Sequence, residues 1–160
     1  MITSNVFGSV ADGQPVHQYS LTNGQGAQVD ILTLGGIVRR WLVPGDTATD
    51  NTTDIVLGFD TVEAYLADQA YVGALVGRYA NRIDSGKFTL QGTAYQVDVN
   101  QGGNCLHGGQ DGFNSRIWQA TILDGGDEPQ LALSLISPDG DQGFPGELTA
   151  KVIYTLSAQN

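Results

Sequence analysis

The sequence predicts an all-β protein, an antiparallel sandwich or barrel, and three observations carry that prediction. Apolar and polar residues alternate with period two along much of the chain. Its 22 glycines are scattered over 160 residues, which favours short strands and turns. No amphipathic pattern of ordinary helix length occurs, which disfavours a parallel sheet with crossover helices.

The elements follow in order. Residues 29–34 and 37–43 are β-rich and separated by Gly35-Gly36. Residues 54–59 form a short apolar run, the next strand-like piece. A short helix is expected over 61–66, with Thr61 placed to cap it. Phe88, Leu90, Tyr95, Val97 and Val99 alternate with polar residues on either side of Gly92, a hairpin pattern with its turn near 91–93. Leu131, Leu133 and Leu135 then alternate with Ala132, Ser134 and Ile136. Leu148, Ala150, Val152, Tyr154 and Leu156 make the longest period-two run, and that apolar face is expected to lie uncovered for want of a partner sheet. Residues 157–160 are turn-like, and no linker or repeat divides the chain.

Composition narrows the function. A length of 160 residues with 41% hydrophobic content supports one domain with a real core. Seven Lys and Arg against 17 acidic residues leave a net charge of −10, so a nucleic-acid partner is not expected. No apolar run approaches the ~20 residues of a membrane span. The first basic residue is Arg39, so a secretory leader is not expected, and the Asn51-Thr52-Thr53 glycosylation pattern is expected to be idle. A lone Cys105 excludes an internal disulfide and reads as a packed side chain.

Several chemistries lack their motifs. Neither a phosphate-binding G-x-x-x-x-G-K-[ST] nor a G-x-G-x-x-G pattern occurs. His17, His107 and Cys105 have no zinc-ligand spacing, and no metal or cofactor is expected. Asp139-Gly140-Asp141 lacks the later ligands of a calcium loop and reads as a solvated turn. His17 reads as a surface residue.

The positive signals are two. G-R-Y-A-N-R-I at residues 77–83 sets a buriable Arg82 beside Asn81 in an otherwise apolar stretch. N-C-L-H-G-G at residues 104–109 sets His107 among glycines. Guanidinium forks and carboxamides suit vicinal hydroxyls, and a histidine can donate to an ether-like oxygen. Tyr71, Tyr79, Phe113 and Trp118 are available for a sugar face or for the core. Arg82 at a strand end beside Asp84, and His107 in an ordinary turn, are the bland alternatives.

These motifs resemble the aldose 1-epimerase (galactose mutarotase) family over essentially the whole chain. The resemblance also takes in L-G-G-I-V-R-R-W (34–41), D-I-V-L-G-F-D (54–60), G-F-N-S-R-I-W (112–118) and S-P-D-G-D-Q-G-F-P-G (137–146). It implies a large β-sandwich of the supersandwich type. It also implies a cytoplasmic enzyme interconverting α and β anomers of free hexoses such as galactose and glucose. Asn81 and Arg82 match the family's sugar-contacting pair, and His107 matches the first of its two active-site histidines. By that match His107 is a catalytic candidate, and Asn81, Arg82 and His107 are the substrate-binding candidates.

The family's later N-H-x-Y-F-N-L histidine, its substrate-binding Asp and its general-base Glu have no counterpart here. Residues 1–160 are therefore expected to be the N-terminal portion of a single epimerase-like sandwich, incomplete at its C-terminal end and inactive alone, with uncovered sheet edges open to self-association. Glu63, Asp84, Asp111 and Glu147 match no catalytic position of the family. Alternatives are a non-catalytic carbohydrate-binding β-module, a relative acting on phosphorylated hexoses, which would need more cations than Arg78, Arg82 and Arg116, and a structural interaction domain.

Overall fold

The turn chemistry written in the sequence is what the chain uses. The computed structural model describes residues 1–45, 52–123 and 126–159. Its strands are β1 (Ile2–Ser9), β2 (Pro15–Thr22), β3 (Gln28–Leu32), β4 (Val38–Val43), β5 (Thr53–Asp54), β6 (Arg82–Ile83), β7 (Lys87–Leu90), β8 (Thr93–Gln96), β9 (Cys105–Leu106), β10 (Gln119–Leu123), β11 (Gln130–Ser137) and β12 (Leu148–Thr155). A single helical turn and a half, α1 (Val62–Ala67), begins where Thr61 accepts the Ala64 N–H on its hydroxyl at 3.2 Å. The β7–β8 hairpin closes through Gln91 and Gly92, both at positive φ (50° and 81°), as a two-residue turn between right-twisted strands requires.

Every strand pair is antiparallel. Strands β1 to β5 form one sheet in sequence order, β10-β11-β12 form a second, and β6-β9 and β7-β8 are two-stranded ribbons. The two larger sheets enclose the main core. Leu21, Val29 and Ile31 come from the first sheet, Leu131 and Leu133 from the second, and Trp118 and Phe113 pack with them. Each such side chain contributes roughly 1.5–3 kcal/mol by leaving water.

The long period-two strand departs from expectation. Ala150, Val152 and Tyr154 are half-buried against the main core, and Leu156 is buried. The first sheet covers that face from Ala150 onward, while Leu148 stays exposed. Tyr154 also crosses the sandwich to donate its hydroxyl to the Gly36 carbonyl at 2.6 Å. Burial pushes that phenol up to about 12. What stays open on β12 is its edge: among the described residues it pairs only with β11.

The other face of the first sheet is closed by α1, with Val16, Leu32, Leu34, Ile37, Val62 and Tyr65 in a second cluster. A third small cluster, Val97, Cys105 and Phe144 with Ile83 and Phe88, seats the β6–β9 ribbon. Of the run 54–59, only its first residue lies in a strand, and Ile55 and Leu57 are exposed. Cys105 is buried, and burial pushes its thiol up, as fits a packing role. His17 is half-buried in β2 rather than on the surface. The Asn51 position of the glycosylation pattern lies outside the described residues.

Candidate active site

The β6–β9 ribbon is two residues long on each strand, yet it brings the two motifs together. Arg82 pairs with Leu106 and Ile83 with Cys105, so Asn81 and His107 flank the ribbon at the same end. There they are joined twice. The Asn81 N–H donates to His107 Nδ1 at 3.0 Å, and the His107 N–H donates to the Asn81 carbonyl at 3.1 Å.

Three non-glycine residues at this end are left-handed: Tyr71 at φ 57°, Asn81 at 64° and His107 at 52°. Each such residue costs of order 1–3 kcal/mol, and the surroundings must hold it there. Tyr71 is bracketed by Asp68, whose two carboxylate oxygens accept the N–H groups of Ala70 and Val72, both at 2.8 Å. The Tyr71 ring then meets the His107 imidazole edge-on, with centroids 4.6 Å apart. Gly108 follows His107 where no side chain fits: a Cβ there would stand 1.8 Å from the Gly77 carbonyl oxygen.

These contacts settle the state of His107. A backbone N–H can only donate, so Nδ1 is the bare nitrogen and the ring proton sits on Nε2. Burial disfavours the imidazolium, and the Arg82 charge disfavours it further, so its pKa lies below the ordinary 6.5. At neutral pH the site therefore presents a neutral imidazole with one donor, Nε2–H.

Arg82 is exposed at the start of β6, as the strand-end alternative has it. Its aim is fixed all the same. Nε donates to Gln101 Oε1 at 2.8 Å and Nη1 to Asn81 Oδ1 at 3.0 Å. Neither partner is charged, and Arg82 forms no ion pair with Asp84. An apolar hollow of about 450 Å³ opens beside Arg82, with Tyr79, Ile83, Phe88, Phe144 and Leu148 on its walls. A polar hollow of about 370 Å³ is lined by Tyr71, Asn100, Gln101 and Asn114. His107 lines neither, so the three predicted residues are bonded into one cluster without sharing one hollow.

The other two candidate cations are spent on structure. Arg78 donates to the Ser137 hydroxyl and carbonyl, both at 2.7 Å, and to the carbonyls of Pro138 at 2.6 Å and Gly146 at 2.7 Å. Arg116 pairs with Asp141 at 2.6 Å and with Asp111 at 3.1 Å. The Ser137 hydroxyl also donates to Asp141. The loop after β11 is thus tied down by two guanidinium groups, and Asp141 is a half-buried partner in that network rather than a freely solvated turn residue. Trp118 and Phe113 belong to the core, while Tyr79 is exposed. Sequence reasoning took Tyr71 only as a spare aromatic and passed over Asp68, Asn100 and Gln101. The available signal was two adjacent carboxamides between the hairpin and the histidine turn.

Comparison with known proteins agrees with this architecture. A family model described as aldose 1-epimerase matches residues 17–160. Galactose mutarotase of Bos taurus is 42% identical over 156 residues, 97% of this chain. Aldose 1-epimerase of Escherichia coli (strain K12) is 38% identical over 149 residues, 93% of this chain. The chain spans 44% and 42% of the length of those two relatives. The crystal structure of galactose 1-epimerase from Lactobacillus acidophilus NCFM superposes on the entire chain with a TM-score of 0.86 at 24% identity, covering 46% of that protein, a likeness of fold. An aldose epimerase homologue from C. elegans matches 86% of this chain with a TM-score of 0.75 at 31% identity.

Proposed function

The chain belongs to the aldose 1-epimerase family, and from that premise we propose that Asn81, Arg82 and His107 form the hydroxyl-gripping part of a mutarotase site for a free hexose such as galactose or glucose. The observation that carries the proposal is the backbone N–H of Asn81 on His107 Nδ1, which leaves Nε2–H as a fixed neutral donor. Residues 1–160 are, on this reading, the N-terminal portion of one epimerase-like sandwich working in the cytoplasm. No helix among the described residues is long and apolar enough to cross a membrane.

The chemistry needs a proton to leave one oxygen and another to reach its neighbour. A base takes the C1 hydroxyl proton and the C1–O bond becomes a carbonyl. The bond from C1 to the ring oxygen breaks, and an acid protonates that oxygen. Rotation about the C1–C2 bond and reclosure give the other anomer. His107 Nε2–H suits the ring oxygen: it donates there and stabilises the charge that develops on ring opening. The Arg82 fork and the Asn81 carboxamide suit neighbouring hydroxyls. The base is a different group, because His107 Nδ1 is already occupied.

A second reading, sugar binding without catalysis by these 160 residues, is favoured by one observation. Among the described residues no carboxylate bonds to Asn81, Arg82 or His107. Polarimetry of freshly dissolved α-D-galactose tests both readings. The chain alone is expected to add little to the buffer rate, and turnover near ~10 s⁻¹ would contradict that division of labour. In a polypeptide that also carries the family's later segment, His107→Ala is expected to slow turnover roughly 10²–10⁴-fold while His17→Ala does not. Equal effects would remove His107 from the site.

A further inference from the structure

We propose that the dipeptide Asn100-Gln101 is the positioning element of this site, Asn100 setting the turn that carries His107 and Gln101 setting the direction of Arg82. The proposal deepens the sugar-site reading and rests on it only for its functional consequence.

The turn that carries His107 closes on one backbone hydrogen bond of its own, the Gly109 N–H onto the Leu106 carbonyl at 3.2 Å. His107, Gly108 and Gly109 have φ of 52°, 97° and 107°, a run no regular element sustains. Asn100 anchors it at both ends. Its Oδ1 accepts the Leu106 N–H at 2.6 Å, and its Nδ2 donates to the carbonyls of Leu106 and Gly109, each at 2.9 Å. Leu106 thereby meets Asn100 through both its backbone groups, its carbonyl shared with the Gly109 N–H, and the next N–H, that of His107, meets the Asn81 carbonyl. The Asn100 backbone is held in turn, its N–H donating to the Asn104 carbonyl at 3.1 Å. One residue on, Gln101 Oε1 accepts from Arg82 Nε. Two adjacent carboxamides thus hold the two groups that carry the chemistry.

The choice of carboxamide at position 100 is specific. The site asks for one acceptor and two donors from a single short side chain, which Asn supplies and Asp does not. A carboxylate there would face the Leu106 and Gly109 carbonyls with no proton to give. It is the isosteric probe for that reason.

Nitrogen NMR of the chain labelled in histidine reads the result without reference to activity. In the parent chain His107 is expected as a single Nε2–H tautomer titrating below 6.5. In Asn100→Asp we expect that tautomer to be lost to a mixture and the titration midpoint to move up toward 6.5, with His17, whose N–H bonds to the Thr33 hydroxyl, unchanged as the folding control. Gln101→Ala should leave the His107 tautomer as it is and weaken galactose binding at least severalfold through Arg82. An Asn100→Asp chain that keeps its His17 signal and the parent His107 tautomer would overturn the proposal. Should that variant not fold, the parent decides: a slowly exchanging Leu106 amide with one His107 tautomer supports the assignment, and a rapidly exchanging amide with averaged tautomers overturns it. If the tautomer responds as expected and the parent binds no galactose, the sugar-site reading fails and the positioning assignment stands.

Discussion

Asn81 and His107 hold one another through two backbone-donated hydrogen bonds, one onto the imidazole at 3.0 Å and one onto the carbonyl at 3.1 Å. The pair ties the protonation state of the side chain to the integrity of the ribbon. Protonating Nδ1 removes the first bond and sets two donors against each other.

Acid should therefore destabilise the chain through His107. Its folded pKa is lowered below 6.5 by burial and then by Arg82. Above 6.5 the ring is neutral whether folded or not, and the full contribution is present. Below 6.5 the unfolded chain binds the proton first, so stability falls with pH until the folded value is also passed. Urea unfolding at neutral and mildly acid pH should show this dependence weakened in His107→Gln. An unchanged dependence would contradict the assignment.

Glycines in open and in crowded surroundings should differ sharply. Gly102 has φ 54° with nothing within 4 Å of an added Cβ, so Gly102→Ala should cost about 1–2 kcal/mol for its left-handed backbone alone. At Gly108 the added Cβ meets the Gly77 carbonyl, and a loss above about 4 kcal/mol or failure to fold is expected. Similar midpoints for the two variants in thermal unfolding would contradict the close approach.

The loop after β11 should depend on the Asp141 charge. Burial raises its pKa, but hydrogen bonds from Arg116 and Ser137 outweigh that and leave it below 3.8. Asp141→Asn should lose about 1.5–3 kcal/mol at neutral pH, the range for hydrogen bonds to a charged group. A depressed carboxylate loses its contribution as pH falls from 3.8 through its folded value, so the gap between variant and parent should close in acid. Equal stability at neutral pH would remove Asp141 from the network.

Much of this was legible because it is local. Thr61 caps the helix three residues on, and Gln91-Gly92 closes the hairpin between adjacent strands, so short-range rules reach both. His107 and the Asn81-Arg82 pair were legible as motifs, and the bond between them was not, since the two-residue ribbon that makes it has no periodicity to read. The roles of Arg78 and Arg116 were hidden for the same reason: Ser137 lies 59 residues from Arg78 and Asp141 25 from Arg116. Apolar neighbours made Arg82 a buriable residue with Asp84 as its nearest charged partner in sequence, whereas its contacts are with Asn81 and, 19 residues on, Gln101. The period-two run of β12 correctly marked a strand, but its apolar face was expected to lie uncovered, because the sheet that covers it comes more than a hundred residues earlier in the chain.

The open edge of β12 makes self-association the expected behaviour of the 160-residue chain. Unpaired strand edges template pairing, and a net charge of −10 opposes it at long range. Sedimentation should show association that rises with protein concentration and with salt, which screens the repulsion. A monomer at every salt concentration would contradict this.

Asn81, Arg82 and His107 are proposed to grip a hexose together. Titrating D-galactose into the nitrogen-labelled chain reads the Asn81 and His107 amides, the His107 ring and the Arg82 guanidinium in one experiment. All four should respond along one saturable curve, and Arg82→Ala should abolish the response while His17→Ala leaves it intact. Saturable binding that moves other residues and leaves these four still, or no binding by a chain with intact His107 and His17 signals, would contradict it.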